Sequence, residues 1–123
     1  MNVVDTSGWL EYFAETKNAI NYEKVINRTD ELIVPTIVIY EVFKKIALAY
    51  DENKALIAIA HMKLGKVIDI DETISINAAK VSMEKKIPMA DSLIYATAEI
   101  YKATVYTQDE HFSTLPNVKY FKK

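Results

Sequence analysis

Asn2-Val3-Val4-Asp5-Thr6-Ser7-Gly8 starts as a short β-branched run and passes through an acid into turn and cap residues. Near the other end of the chain, Thr104-Val105-Tyr106-Thr107-Gln108-Asp109 follows the same plan. Each is short and apolar, as expected of a strand buried on both faces of a parallel sheet. Between them the chain alternates. Trp9 to Ala14 predicts a short amphipathic helix with Ser7 as its N-cap, and Asn18 to Ile26 a second, apolar at Ala19, Ile20 and Val25. Leu32 to Val34 is a brief strand. From Pro35-Thr36 to about Tyr50, Ile39, Val42, Phe43 and Ile46 recur at helical spacing.

A further helix covers about Asn53 to Leu64, with Gly65 as its C-terminal cap, and Lys66 to Ile70 is a third strand. Thr73 to Lys85 predicts a helix with Ile76, Ala79, Val81 and Met83 on its apolar side. Pro88 restarts the chain into a small-residue helix, Met89 to Tyr101. Ala103 to Thr107 is the fourth strand and Asn117 to Phe121 a weak fifth. Strands alternating with one or two helices imply an α/β domain, its mostly parallel sheet covered on both faces. With 123 residues, no repeat and no linker, residues 1–123 make a single domain.

Composition narrows the chemistry. Without cysteine there is no disulfide framework and no thiolate nucleophile or metal site. Gly8 and Gly65 are the only glycines, which excludes Gly-rich dinucleotide turns and phosphate-cradling loops. His61 and His111 are the only histidines, too few for a three-histidine metal site. No signal peptide is read at the N-terminus, and the longest uncharged run, Leu32 to Tyr40, falls far short of the roughly 20 residues that span a bilayer. A cytoplasmic protein with no membrane contact is expected. Fifteen basic residues against seventeen acidic give a net charge of -2, which argues against coating nucleic acid by bulk charge.

Four acids nonetheless sit in apolar surroundings. Asp5 ends the first strand, Glu41 interrupts Ile37-Val38-Ile39-Tyr40-Glu41-Val42-Phe43, Asp91 lies within Met89-Ala90-Asp91-Ser92-Leu93-Ile94, and Asp109 follows the fourth strand. Each alone also has an ordinary use. Asp5 and Asp109 suit turns or caps, Asp91 suits a helix N-terminus, and Glu41 stands four residues before Lys45 in the orientation of a helical ion pair. Together they describe a site. Ligand crevices in parallel sheets form at the carboxyl ends of strands, and carboxylates gathered there repel unless a cation joins them. Such a cluster suits magnesium or manganese.

Val3-Val4-Asp5-Thr6-Ser7, Tyr40-Glu41-Val42-Phe43-Lys44, Ala90-Asp91-Ser92-Leu93-Ile94-Tyr95-Ala96 and Thr107-Gln108-Asp109-Glu110-His111-Phe112 resemble the motifs of PIN-domain ribonucleases, in order and over the whole chain. The closest likeness is to the VapC-like toxins of type II toxin–antitoxin systems. The resemblance implies a three-layer α/β/α sandwich with four to five strands. It makes Asp5 and Asp91 ligands of Mg2+ or Mn2+, with Glu41 and Asp109 completing the quartet. Thr107 becomes the hydroxyl that orients the site, with Thr6 or Ser7 adding hydrogen bonds. It also implies an RNA substrate hydrolysed by metal-activated water, an antitoxin partner and a homodimer. Lys44 and Lys45, or Lys85 and Lys86, are candidates to hold RNA.

Other readings remain. Val67-Ile68-Asp69-Ile70-Asp71-Glu72-Thr73 resembles the nucleophile motif of haloacid-dehalogenase-type phosphatases, with Asp69 attacking phosphorus. The plain alternative is a strand end followed by a helix capped by Asp71 or Thr73. His111 is placed to touch substrate or metal, or to pack locally with Phe112. Finally, the same fold without activity would serve as a binding module for a protein partner.

Overall fold

Val3, Val4, Ile33, Val34 and Val105 are fully buried, and they form the middle of the sheet. The computed structural model describes residues 1–123, with five strands: β1 (Asn2–Val4), β2 (Leu32–Pro35), β3 (Lys66–Ile68), β4 (Thr104–Thr107) and β5 (Val118–Tyr120). All pairings are parallel, in the order β3-β2-β1-β4-β5. Six α-helices accompany them: α1 (Thr6–Ala14), α2 (Ile20–Asn27), α3 (Thr36–Ala49), α4 (Glu52–Met62), α5 (Glu72–Lys85) and α6 (Met89–Ile100). This is the expected α/β/α arrangement. The sheet is wholly rather than mostly parallel.

The order of strands decides where a site belongs. From β1 the chain steps outward through β2 to β3, then returns to lay β4 and β5 on the other side of β1. Connections leaving β1 and β4 therefore diverge, and a crevice opens at their carboxyl ends. Val3 pairs with Val105 and Val4 with Tyr106, so Asp5 and Thr107 emerge side by side. The Asp5 N–H extends this ladder, donating to the Tyr106 carbonyl at 3.0 Å. No helix is long and apolar enough to cross a membrane.

Three local expectations change. Helix α1 begins at Thr6, and its N-cap is Asp5 rather than Ser7. Asp5 is the better cap because its backbone is extended while its carboxylate accepts from the Thr6 N–H at 2.7 Å. Gly65 is not a left-handed cap, since neither glycine has a positive φ and α4 ends at Met62. Its missing side chain serves a close approach: a Cβ there would lie 3.0 Å from the Leu32 carbonyl oxygen. On α5 the buried positions are Ile74 and Ala78, whereas Ile76 and Met83 are exposed, and on α2 Ile20 is exposed too. Ile74 and Ala78, four residues apart, share one helical face, which Ile76 and Met83 do not.

Gly8 is also a packing glycine. A Cβ there would come within 2.6–2.7 Å of the Tyr22 ring and the Val4 side chain. The first turn of α1 is thereby seated directly against β1 and α2, which fixes the position of the preceding Asp5.

Candidate active site

Asp5 is 3% exposed and fully engaged. Its Oδ2 accepts from the Thr107 hydroxyl at 2.8 Å and from the Ser7 hydroxyl at 3.3 Å, while Oδ1 holds the Thr6 N–H. Burial raises its pKa from 3.8 to about 7; the Thr107 hydrogen bond opposes the rise, and the nearby charges of Asp91 and Asp109 add to it. Thr107 in turn accepts the Asp109 N–H at 2.9 Å. One hydroxyl therefore sets the spacing between the acid of β1 and the acid following β4.

Asp109 caps a short turn, Glu110–Phe112, accepting the His111 N–H at 2.9 Å. Phe112 is fully buried and anchors that turn. His111 therefore points back to the acids: its Nδ1 donates to Asp91 Oδ2 at 2.8 Å and lies 3.2 Å from Asp109 Oδ1. Asp91, in the first turn of α6, has its pKa raised by burial and by the Asp109 charge, with His111 opposing the shift. The acid thus stays raised at a helix N-terminus, a place that ordinarily favours the charged carboxylate. The His111 pKa is raised as well, mainly by its hydrogen bond to Asp91.

Glu41 enters from α3, where its Oε1 accepts from the Thr6 hydroxyl at 2.6 Å, and its charge is felt at Asp91. Hydrogen bonds and charge coupling thus link the four acids, by two routes. Asp91 and Asp109, with His111, present ligand atoms within 4.8 Å of one another. Asp5 and Glu41 are instead tied to the same site through Thr107 and Thr6.

The other residues singled out in the sequence lie elsewhere. Lys44 is exposed, its Nζ 5.8 Å from the centre of the Tyr40 ring. Lys45 lines a separate apolar hollow of about 630 Å3 between α1, α3 and α4, with Phe13, Ile46 and His61. His61 meets the Tyr12 hydroxyl at 3.3 Å in that region. Lys85 and Lys86 are exposed at the end of α5. Asp69 is exposed after the edge strand β3, two strands away from β1, and Asp71 caps α5 by accepting the Ile74 N–H at 2.8 Å.

Sequence reading left one supporting pair unnoticed. The buried Gln108, between Thr107 and Asp109, receives the Tyr22 hydroxyl at 3.3 Å. Burial and the charge of Asp5 raise the Tyr22 pKa, so its phenol remains a donor that braces the segment between the two catalytic candidates. No pattern in the chain announces this pair, because Tyr22 reads simply as a core aromatic.

One family model, the PIN domain, matches residues 3–118 of this chain. The chain belongs to the PIN-domain family. Solved structures share the fold at low identity. A toxin–antitoxin complex from Klebsiella pneumoniae is 18% identical with a TM-score of 0.80, covering 97% of this chain and 96% of that one. VapBC2 from Rickettsia felis, bound to a DNA fragment from its promoter, is 15% identical with a TM-score of 0.78, covering 98% of both chains. FitAcB from Neisseria gonorrhoeae is 19% identical with a TM-score of 0.75, covering 98% and 96%. No curated protein matches the chain.

Proposed function

We propose that this PIN domain is a divalent-metal-dependent endoribonuclease, acting in the cytoplasm as the toxin of a toxin–antitoxin pair. The observation that carries the reading is the convergence of Asp91, Asp109 and His111 within 4.8 Å, beside a buried Asp5 whose carboxyl group is shifted to about 7. Carboxylates gathered this closely, one buried (Asp5) and two half-buried (Asp91 and Asp109), repel one another unless a cation joins them. Their oxygen donors fit Mg2+ or Mn2+, which keep several waters and are bound by one or two carboxylates together with substrate phosphates. When bound, such an ion lowers the pKa of water and neutralises charge growing on a phosphodiester under attack.

The chain's own residues do the positioning. Asp91 and Asp109 offer oxygens toward solvent and substrate. Thr107 holds Asp5 and Asp109 at fixed separation, and Thr6 holds Glu41 against the same crevice. Ser7 adds the third hydrogen bond to Asp5. Outside the quartet, fifteen basic residues face thirteen acids (seventeen less four), so the remaining surface is mildly positive. Lys44 and Lys45, on the helix that carries Glu41, and Lys85 and Lys86, before α6, are the cations nearest in the chain to serve RNA phosphates.

What supports the toxin role is the company the fold keeps: a toxin–antitoxin complex from Klebsiella pneumoniae, VapBC2 from Rickettsia felis and FitAcB from Neisseria gonorrhoeae share it over nearly their full length. A cognate antitoxin would block the crevice with a segment bearing a basic side chain over the acids. A second copy would associate through helical faces, where Tyr40, Leu48 and Leu56 are exposed.

The deciding measurement is cleavage of a single-stranded RNA panel by tag-free protein with Mg2+ or Mn2+. Cleavage is expected to stop with EDTA and to fall on the order of 10^3-fold, about 4 kcal/mol of barrier, in Asp5→Asn. Asp69→Asn is expected to cleave normally, and the wild type to show no phosphatase activity on a generic phosphoester that Asp69→Asn removes. Full cleavage by Asp5→Asn would reject the assignment.

A further inference from the structure

Resting on the reading of the acid cluster as a metal centre, we propose that His111 is a nitrogen ligand of that centre and makes it prefer Mn2+ to Mg2+. Geometry supports ligation. The His111 Nδ1 stands 2.8 Å from Asp91 Oδ2 and 3.2 Å from Asp109 Oδ1, and the three residues offer atoms within 4.8 Å of one another. Neighbouring ligands around an octahedral ion held at 2.0–2.1 Å lie about 3 Å apart. The two nitrogen–oxygen separations match that edge. An imidazolium bridging the two carboxylates would show the same separations, and the metal-binding test separates it from ligation.

The turn that carries the ring is fixed at its base. The His111 N–H is held by Asp109 and the next residue, Phe112, is fully buried, while the imidazole itself is about half exposed. The ring thus reaches the acids from their solvent side, the side from which water and a substrate phosphate would approach a bound ion. On ligation the Nδ1 proton passes to bulk water and the neutral ring keeps its proton on Nε2. Imidazole favours transition ions over magnesium, which holds to oxygen donors and its own waters. A site of two carboxylates and one imidazole therefore discriminates, whereas a site of carboxylates alone accepts both ions.

One rival gives the opposite sign. If the His111 imidazolium acts instead as a built-in cation that a metal must expel, removing it strengthens binding of both ions. The test uses the tag-free full chain, with Mn2+ binding followed by electron paramagnetic resonance and Mg2+ binding by calorimetry. Pulsed resonance on the Mn2+ complex reads imidazole nitrogen directly, and His61→Ala controls for the only other histidine. Wild type and His61→Ala are expected to show the nitrogen signal. His111→Ala is expected to lose it and to bind Mn2+ at least tenfold more weakly, with Mg2+ affinity changed less than threefold. Equal losses for both ions, gains for both, or bound Mn2+ without nitrogen coupling in the wild type would overturn the proposal. If Asp91→Asn binds Mn2+ as well as wild type does, the metal centre itself is misplaced, a different failure.

Discussion

Two strands of this sheet run into aspartates by nearly the same sequence, Val3-Val4-Asp5-Thr6-Ser7 after β1 and Val67-Ile68-Asp69-Ile70-Asp71 after β3. Their fates differ completely. Asp5 is 3% exposed, bound by three hydrogen-bond donors and pushed to a pKa of about 7, whereas Asp69 is exposed and Asp71 caps a helix. The difference lies in strand order. β1 is central and adjoins β4 at the switch point, so its carboxyl end opens onto a second acidic loop and the first turn of α6. β3 is an edge strand, and its carboxyl end meets water. An apolar run followed by an aspartate is therefore only half of a site; the neighbouring strand supplies the other half.

The widest expected gap between the two ends is in stability against pH. Asp5 binds its proton more tightly folded (about 7) than unfolded (3.8), so the metal-free fold gains from protonation. That stabilisation is complete below about pH 4 and is lost as pH rises through 7, by up to about 4 kcal/mol for a shift of this size. The raised pKa values of Asp91 and His111 act in the same direction. Urea denaturation in EDTA is expected to give a lower midpoint at pH 8 than at pH 5. Asp5→Asn should remove most of that slope, while Asp69→Asn should leave it intact. A wild-type midpoint independent of pH would contradict the burial of Asp5 as a charge-sensitive group.

Much of this arrangement was readable in the chain, for reasons that can be stated. Val3-Val4 and Thr104-Val105-Tyr106-Thr107 announce buried strands because parallel strands covered on both faces need unbroken apolar runs. The four acids stood out because each interrupts or ends such a run. Register was not readable. Nothing in the sequence pairs Val4 with Tyr106, and without that pairing Thr107 has no stated link to Asp5. The same gap left His111 open between substrate, metal and local packing with Phe112, because its ring meets Asp91 only through the turn after β4, which folds back toward α6. Ile76 and Met83 misled because apolar residues on an exposed helical face look, in one dimension, like core residues.

Position three after each acid makes the next contrast. Gly8 follows Asp5 by three residues and has Tyr22 and Val4 within 2.6–2.7 Å of where a Cβ would stand. Ile74 follows Asp71 by three and is itself a buried side chain. The α1 turn is thus pressed onto the sheet with no space to spare, and α5 is held off by a whole isoleucine. Gly8→Ala is expected to cost about 1–3 kcal/mol, because the Tyr22 ring and β1 must shift apart to admit a methyl group. Cleavage should drop beyond what the lost stability explains, since displacing this turn displaces Asp5. A variant that denatures like wild type would show that the approach to Tyr22 is looser than described.

The smallest effect belongs to Asp71. Its Oδ1 accepts the Ile74 N–H at 2.8 Å, one of the donors that the first turn of α5 otherwise leaves to water. Asp71→Ala removes that bond and should cost about 1 kcal/mol, the usual loss for an N-cap replaced by alanine. RNA cleavage is expected to stay within twofold of wild type at a temperature where both proteins are folded. Asp5 is also an N-cap, of α1, and by capping alone its replacement would cost the same. Comparing Asp5→Ala with Asp71→Ala therefore separates the two functions of one residue type. Stability lost at the β3 end reports the cap by itself. At the β1 end the cap is lost together with the bonds to Thr107 and Ser7, against relief of a buried charge. In EDTA, Asp5→Ala should therefore cost less stability at pH 8 than at pH 5, whereas the Asp71→Ala cost should not change in that way. Only Asp5→Ala should lose the activity.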